Sequence, residues 1–215
     1  MGRAAWFPVE DAEIIDTWFV GGMRGTASLD YAVKDLFVPT EFVFDFIEGT
    51  APYPGPLYRL PATYSLASAL APVALGIARG AVDAFTELIK AKTDRFSGTR
   101  MRDRMTIQER VAQAEALVRS ARSLLYETVD SNWKVVSGGS MLDERQVALS
   151  RLAYMHAVDS GARAVDLVYH AAGTSAIFTS NPLERYFRDI HVVTQHRFAS
   201  PQEMYQAGAV LLEAG

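Results

Sequence analysis

Apolar side chains recur at steps of three and four residues along three long stretches of the chain, and no other feature restricts the fold as strongly. The repeating positions are Leu70, Val73, Ile77, Ala81, Phe85 and Leu88, then Val111, Ala114, Val118, Ala121, Leu125 and Val129, then Leu152, Met155, Ala162 and Val165. A shorter stretch follows Asn181-Pro182, where proline suits a first helical turn. Helices of these lengths most simply form an up-and-down four-helix bundle, so the sequence predicts a mainly α fold.

Local signals set the predicted ends of these helices. Thr106 with Glu109 three residues later has the pattern of a capping box, which predicts that the second helix begins there. The pair Gly138-Gly139 predicts its end, and the third helix is predicted to begin near Asp143. Residues 201–212 are expected to add one or two further turns.

The first 47 residues differ from the rest. Residues 18–20 are apolar, and after them Leu29, Tyr31 and Val33 alternate with Ser28, Asp30, Ala32 and Lys34, the two-residue period of half-buried strands. Residues 36–38 are a further short apolar run. Two or three strands make a poor independent sheet, so we interpret residues 1–47 as the last strands of a partial β domain. Prolines make residues 48–61 a linker, and residues 62–215 are predicted to be the helical bundle domain.

The composition disfavours several classes of protein. A net charge of -4 and a pI near 5.6 argue against a nucleic-acid binder, which needs a dense basic surface. The absence of cysteine excludes disulfides and a cysteine nucleophile and fits a reducing compartment, so we expect a cytoplasmic protein. No stretch reaches the roughly 18 uncharged apolar residues of a membrane span, so no membrane insertion is expected. No nucleophile elbow, phosphate loop or dinucleotide fingerprint is present.

The connection between the first two long helices is rich in positive charge. Its basic residues are Lys90, Lys92, Arg95, Arg100, Arg102 and Arg104, and its acidic residues are Asp94 and Asp103. Arginine offers bidentate donors and Gly98 allows close backbone approach, so the segment is a candidate for binding pyrophosphate. The alternative is a solvated loop between helices.

Two further segments are candidates. Residues 170–176 place small side chains at a predicted helix end, where they admit a ligand or a neighbouring backbone, unless Gly173 is simply a helix stop. Residues 185–197 contain His191 and His196, which suit general acid–base chemistry; the alternative is one core and one surface histidine. Their five-residue spacing does not align two metal ligands on a helix, so no metal site is predicted.

Four segments resemble acyl-CoA dehydrogenases in the same order along the chain. Residues 22–28 and 33–39 resemble the end of that family's β domain, where a G-R-G-T/S turn precedes a V-x-x-V-F-V-P strand. Residues 94–98 resemble its R-x-F-G turn, residues 173–175 fall where it has a Q-x-x-G-G flavin turn, and 188–189 resemble its R-D pair.

The resemblance implies the family's carboxy-terminal bundle and a flavin cofactor, FAD or FMN, shared between subunits of a homo-oligomer, a dimer or a tetramer. It further implies that two groups of residues contact the nucleotide part of the flavin. These are Arg95, Phe96 and Ser97, and Gly173, Thr174 and Ser175.

One departure from the family concerns the catalytic base. Counting from the R-D pair, dehydrogenases have tyrosine and a catalytic glutamate where this chain has His196 and Arg197. A guanidinium cannot abstract a substrate proton at pH 7. The pattern R-D-x-H followed by Q-H instead resembles the superfamily's two-component monooxygenases, which take reduced flavin from a separate reductase and hydroxylate aromatic or related small molecules. This resemblance implies His196 as the catalytic residue, with His191 second.

Two alternatives remain open on the sequence. One is a dehydrogenase with a relocated base, for which Glu87, Glu115 and Glu127 are candidates. The other is a catalytically inert module that oligomerises through the Gly76/Gly80 face. The family normally carries a helical domain and a complete β domain before the region that matches Gly22. We therefore expect half of the flavin pocket to lie outside this chain, as in a truncated gene reading, a proteolysed piece or a bundle retained for assembly.

Overall fold

The periodic stretches fold into α-helices, and the computed structural model describes residues 3–45 and 54–213, apart from the side chains of Thr63 and Ser65. The helices are α1 (Ala62–Ala91), α2 (Met105–Ser137), α3 (Glu144–Ala172), α4 (Pro182–Val193) and α5 (Pro201–Glu213). The predicted mainly α bundle is confirmed. Helix α5 has 13 residues, more than the one or two turns expected of the tail.

The core lies where α1, α2 and α3 pack against one another, with α4 against α1 and α3, and α5 against α3. Phe85 of α1 and Val165 of α3 are fully buried there. A Cβ on Gly161 of α3 would lie 3.1 Å from the carbonyl oxygen of Ala74 in α1. The missing side chain at Gly161 therefore lets these two central helices approach closely.

Helix α1 is long and apolar enough over Leu66–Ala91 to cross a membrane by length and hydropathy alone. In this fold Ala71, Ala78 and Val82 of that segment are buried in the protein core. The apolar residues of α1 are thus used to hold the bundle together.

The capping box predicted at the start of α2 is not formed. The cap residue is Arg104, whose side chain makes no capping hydrogen bond, and Thr106 already lies inside the helix. The capping box is found at α3, where Asp143 Oδ1 accepts from the backbone N–H of Gln146 at 2.7 Å. The Gln146 side chain accepts in return from the Asp143 backbone N–H at 2.9 Å, so the predicted start near Asp143 is confirmed.

Four short strands lie within residues 3–45, mostly away from the alternating stretches. They are β1 (Arg3–Ala5), β2 (Glu13–Ile15), β3 (Asp30–Ala32) and β4 (Val43–Asp45), paired antiparallel as β1 with β4 and β2 with β3. The predicted strands at 18–20 and 36–38 are wrong, and of 29–33 only 30–32 is a strand.

Two local features explain these differences. Ala27 and Asp35 have positive φ of 45° and 49°, which breaks extended backbone on both sides of β3. Trp18 uses its indole N–H to bind the carbonyl of Met23 at 3.2 Å, so this apolar run supports a turn instead of pairing with a strand. The alternation of apolar and polar residues revealed neither the positive φ angles nor the hydrogen bond of Trp18.

The turn at residues 21–26 anchors the β segment on α4. The Met23 backbone N–H donates to Asp189 Oδ1 at 2.6 Å, and the Arg188 guanidinium donates to the carbonyl of Gly21. A Cβ on Gly22 would lie 2.5 Å from the carbonyl carbon of Arg188, so only glycine allows this approach. The turn and α4 therefore meet through backbone contact as well as charge.

The predicted linker at 48–61 lies partly outside the described residues, which omit 46–53. Its described part contains the short 3-10 helix Pro56–Arg59. Arg59 donates to the carbonyl of Val136 at 2.9 Å, which holds this part against the end of α2.

Candidate functional site

The basic connection between α1 and α2 is an ordered loop organised by one carboxylate. Asp94 Oδ1 accepts from the backbone N–H groups of Ser97 and Phe96 at 2.8 and 3.0 Å, and Asp94 Oδ2 accepts from Arg104 at 3.2 Å. These hydrogen bonds, above all the one from the Ser97 backbone, lower the pKa of Asp94. The acidic residue that partly offsets the positive charge of the loop therefore also fixes its shape.

The predicted nucleotide-contacting side chains on this loop extend into solvent. Phe96 is 99% exposed, and Arg95 and Ser97 are also exposed. Arg95 has no acidic partner among the described residues, so its guanidinium is available to an anion. An exposed phenylalanine beside a free arginine presents both an apolar face and a charge to whatever lies opposite.

The small-residue turn lies against the same loop. Lys92 Nζ donates to Ser175 Oγ at 2.7 Å and to the carbonyl of Ala172 at 3.3 Å. Gly173 has φ of 59°, and its missing Cβ would meet no atom within 4 Å, so the turn has open space beside it. The structure thus brings the two predicted nucleotide-binding segments together through Lys92, a link that the sequence alone did not reveal.

His191, on α4, is held by residues of α3 and α4. Its Nε2 lies 3.1 Å from Asp166 Oδ1 on α3. Its ring meets Phe187 edge-on, with centroids 4.3 Å apart, and Phe187 stacks on Tyr169 at 4.0 Å. Both edges of the imidazole are therefore oriented by neighbours, as expected of a histidine that ties helices together.

His196 has a different environment, just beyond the end of α4. Its side chain is exposed, and Nδ1 accepts from the backbone N–H of Phe198 at 3.2 Å, which caps the short 3-10 helix Arg197–Ala199. A neutral ring that accepts at Nδ1 has its proton on Nε2. The sequence-predicted catalytic histidine therefore presents an Nε2–H donor.

The two kinds of predicted site residue lie at opposite ends of α4. Residues 173–175 and Asn181 precede the helix, joined by a hydrogen bond from Asn181 Nδ2 to the carbonyl of Ser175 at 2.8 Å. His196 follows the helix, whose 12 residues span about 18 Å. A compact ligand cannot touch both ends in one chain, whereas an extended ligand or a second subunit could.

A cavity near His196 was not predicted. It lies between α1, α3, α5 and residues 197–200, and has a volume of about 500 Å³. Its walls include the rings of Tyr64, Tyr154 and Phe198, with Arg151, Arg197 and Glu203 at charged positions. The Phe198 ring lies 5.6 Å from the His196 ring, so the cavity begins beside the predicted catalytic residue.

A buried polar cluster joins the lining residues Tyr64 and Ser150 to Asn132 of α2. Asn132 Nδ2 donates to the Tyr64 hydroxyl at 3.0 Å and to Ser150 Oγ at 2.8 Å. The Tyr154 hydroxyl is buried near those of Tyr64 and Ser150 without a well-aligned hydrogen bond to a described residue, and burial first, then the proximity of Tyr64, raises the pKa of Tyr154. Residues from three helices meet here, which no local sequence signal indicates.

The glutamates considered as a relocated base are engaged or exposed. Glu115 binds Arg79 at 2.5 Å and Arg119 at 2.6 Å, and these contacts, that with Arg119 first, lower its pKa. Glu87 pairs with Lys90 at 2.7 Å on the surface, and Glu127 is exposed. An ionised carboxylate in two ion pairs is a poor proton acceptor.

The Gly76/Gly80 face, considered for oligomerisation, is covered at Gly80 by α4 of the same chain. A Cβ on Gly80 would lie 2.7 Å from the ring of Tyr186, because α4 covers this position within the same chain. Gly76 has open space beside it. The missing side chain at Gly80 therefore serves packing of α4 on α1.

A family model described as acyl-CoA dehydrogenase, C-terminal domain, matches residues 68–201. The chain belongs to this family. The matched range begins within α1 and ends at the first residue of α5, so it covers the basic loop, the small-residue turn and both histidines. The predicted family and bundle are confirmed.

Similar proteins include oxygenases. Indole-3-acetate monooxygenase of Acinetobacter baumannii is 32% identical over 209 residues, which cover 97% of this chain and 53% of the relative. The oxygenase component of FADH(2)-dependent resorcinol hydroxylase from Rhizobium sp. is 30% identical, covering 88% of this chain and 50% of the relative. The chain therefore spans about half the length of these relatives.

A solved structure agrees with this similarity. The crystal structure of 3-HSA hydroxylase from Rhodococcus sp. RHA1 superposes with a TM-score of 0.86 at 26% sequence identity. The superposition covers 98% of this chain and 57% of that chain. The β segment and the bundle are thus placed as in a hydroxylase of the same fold.

Proposed function

We propose that this chain is the carboxy-terminal half of the oxygenase component of a two-component flavin-dependent monooxygenase. In this function the protein hydroxylates a small aromatic or related molecule with reduced flavin and O2. The observation that carries the proposal is the pair His196-Arg197, which stands where the dehydrogenase pattern has tyrosine and its catalytic glutamate. An exposed arginine cannot serve as the base that dehydrogenation needs.

The names of the relatives support an oxygenase. One is a monooxygenase, and another is the oxygenase component of an FADH(2)-dependent hydroxylase. An oxygenase component that uses reduced flavin needs a source of it, so we include a flavin reductase as a partner. The cofactor is FAD or FMN. We place the protein in the cytoplasm, because a chain without cysteine suits a reducing compartment.

The residues that would hold the flavin are those of the basic loop and the small-residue turn. Arg95 offers a free guanidinium to a phosphate, and Phe96 and Ser97 lie beside it. Gly173, Thr174 and Ser175 provide a turn with open space, held to that loop by Lys92. A bound flavin would supply the oxygen-activating chemistry that no side chain of the protein possesses.

The distance along α4 supports a homo-oligomer, a dimer or a tetramer. Helix α4, whose 12 residues span about 18 Å, separates the small-residue turn from His196. A loop that extends Arg95 and Phe96 into solvent is suited to reach a cofactor held mainly by a neighbouring subunit. Residues 1–47, in this proposal, are the last strands of a β domain that completes the pocket.

His196 is the proposed catalytic residue. Its Nδ1 accepts from the Phe198 backbone, which leaves the Nε2–H of this exposed ring to donate to a reacting oxygen. His191 is second, because Asp166 and Phe187 already fix its ring.

The experiment uses a chimera in which the amino-terminal half of the Acinetobacter baumannii relative precedes this chain. Reduced flavin is added anaerobically, binding is measured by fluorescence, and hydroxylated product is measured after admission of air. We expect flavin binding in both the parent chimera and a His196→Asn variant, with product formation about 100-fold slower in the variant.

The matched control is Gln195→Ala, which removes the exposed neighbour of His196 and should leave the rate unchanged. Failure of the folded chimera to bind reduced flavin would overturn the proposed function. Equal rates for the parent and His196→Asn would instead remove His196 from the catalytic role.

A further inference from the structure

The cavity between α1, α3, α5 and residues 197–200 is formed by this chain alone. All of its lining residues lie within 64–206. Its volume of about 500 Å³ lies in the range of small-molecule sites. Binding to this cavity can therefore be tested with the 215-residue chain in the absence of flavin.

Aromatic rings form the apolar part of the cavity. Tyr64 and Tyr154 meet edge to face with centroids 5.5 Å apart, and Phe198 faces the same space from the 197–199 turn. Tyr64 and Tyr154 are 7% and 3% exposed, so their rings are held by the core. Rigid rings in this arrangement favour a flat, unsaturated ligand.

The charges at the cavity favour an anion. Arg151 and Glu203 form an ion pair at 3.3 Å and offset each other. Arg197 also lines the cavity and has no acidic partner in the described part of the chain. The charged residues on the cavity wall therefore leave one uncompensated positive charge, on a side chain whose geometry suits a carboxylate.

We propose that this cavity binds an aromatic carboxylate, with the ring against Tyr64, Tyr154 and Phe198 and the carboxylate on Arg197. The inference rests on the proposed function in one respect, since it names the class of substrate that His196 would act on. The lining residue Phe198 has its ring centroid 5.6 Å from that of His196, so only the Phe198 ring separates this cavity wall from the proposed catalytic residue. Arg197 is thus a specificity-determining residue that selects anionic over neutral aromatic compounds.

The test measures binding of phenylacetate and phenylacetamide to the 215-residue chain by calorimetry, without flavin. The two probes have the same ring and nearly the same shape, and only the first is charged. We expect phenylacetate to bind about tenfold more tightly, as a charge-assisted hydrogen bond provides. Arg197→Gln should abolish this difference, and Arg197→Lys should retain part of it because the charge remains.

Arg145→Gln is the matched control, since it removes an exposed arginine of α3 outside the cavity and should preserve the preference. Far-ultraviolet circular dichroism verifies that each variant is folded. Equal binding of the two probes, or a preference that survives Arg197→Gln, would overturn the inference.

Two further measurements distinguish this inference from flavin binding in the cavity and from the proposed function. FMN, which is also aromatic and anionic, is added in competition, and displacement of phenylacetate from the chain by FMN would assign the cavity to the flavin and overturn the substrate assignment. If the chimera described above binds no flavin while the phenylacetate preference depends on Arg197, the proposed function fails and the binding site stands.

Discussion

Two tyrosines of the buried cluster allow the same chemical change to be made in two different environments. The Tyr64 hydroxyl accepts a hydrogen bond from Asn132 at 3.0 Å, whereas the Tyr154 hydroxyl lies near Tyr64 and Ser150 without a well-aligned hydrogen bond to a described residue. Both residues are less than a tenth exposed. Replacing either with phenylalanine removes one oxygen and keeps the ring.

The expected effects on stability differ in sign. Tyr64→Phe removes a buried hydrogen bond and leaves an amide proton of Asn132 without its acceptor, which should lower the free energy of unfolding by about 1 to 2 kcal/mol. Tyr154→Phe removes a hydroxyl that is buried without compensation, so the free energy of unfolding should stay the same or rise by up to about 1 kcal/mol.

The assay is urea denaturation at pH 7, followed by circular dichroism and analysed by linear extrapolation. The two variants should differ by about 2 kcal/mol in the free energy of unfolding. An Asn132→Ala variant serves as the control: combined with Tyr64→Phe, it should cost less than the sum of the two single changes, because both remove the same hydrogen bond. Equal costs for the two tyrosine changes would refute the reasoning.

The remaining predictions concern pH, the β segment and α1. Burial raises the pKa of Tyr154 above its ordinary value of 10.0, so above about pH 10 the unfolded chain loses a proton that the folded chain keeps. The free energy of unfolding should therefore fall as the pH rises, and it should fall less in Tyr154→Phe. Urea denaturation midpoints measured from pH 9 to 11 check this. Asp189→Ala removes the acceptor of the Met23 N–H and should make residues 3–45 more sensitive to limited proteolysis, whereas Asp159→Ala, which affects only a surface ion pair, should not. Gly76→Ala should raise the free energy of unfolding by about 0.5 to 1 kcal/mol, because alanine favours the helix and the added methyl meets open space. Gly80→Ala displaces the Tyr186 ring, so thermal denaturation should show a smaller rise in melting temperature for this variant.

The helices could be predicted because their signals are local. Apolar positions three and four residues apart are brought to one face by helix geometry alone, whatever the rest of the chain does. Asn181-Pro182 and Asp143 are similarly local start signals, and both are used. Thr106 shows the limit of such signals. The capping-box motif is present in the sequence, but α2 begins one residue earlier, at Met105, so Thr106 lies inside the helix and does not cap it.

The strands could not be placed because pairing is not local. Residues 3–5 pair with 43–45, and 13–15 pair with 30–32, so the partners in each pair are separated by a connection far longer than a tight turn. The family resemblance located the region as a whole, whereas the turn at Met23 is held by Asp189, which is 166 positions away in the sequence.

The sequence by itself determined the helical class, the family, and the segments from which a site could be made, since these follow from periodicity, residue type and motif order. Tertiary structure decided which segments meet. Lys92 joins Ser175 across 83 positions, and Asn132 joins Tyr64 across 68, because helix packing brings distant positions within hydrogen-bond range. The cavity beside His196 arises in the same way, from side chains that three helices and one turn supply, and its shape is a property of their packing.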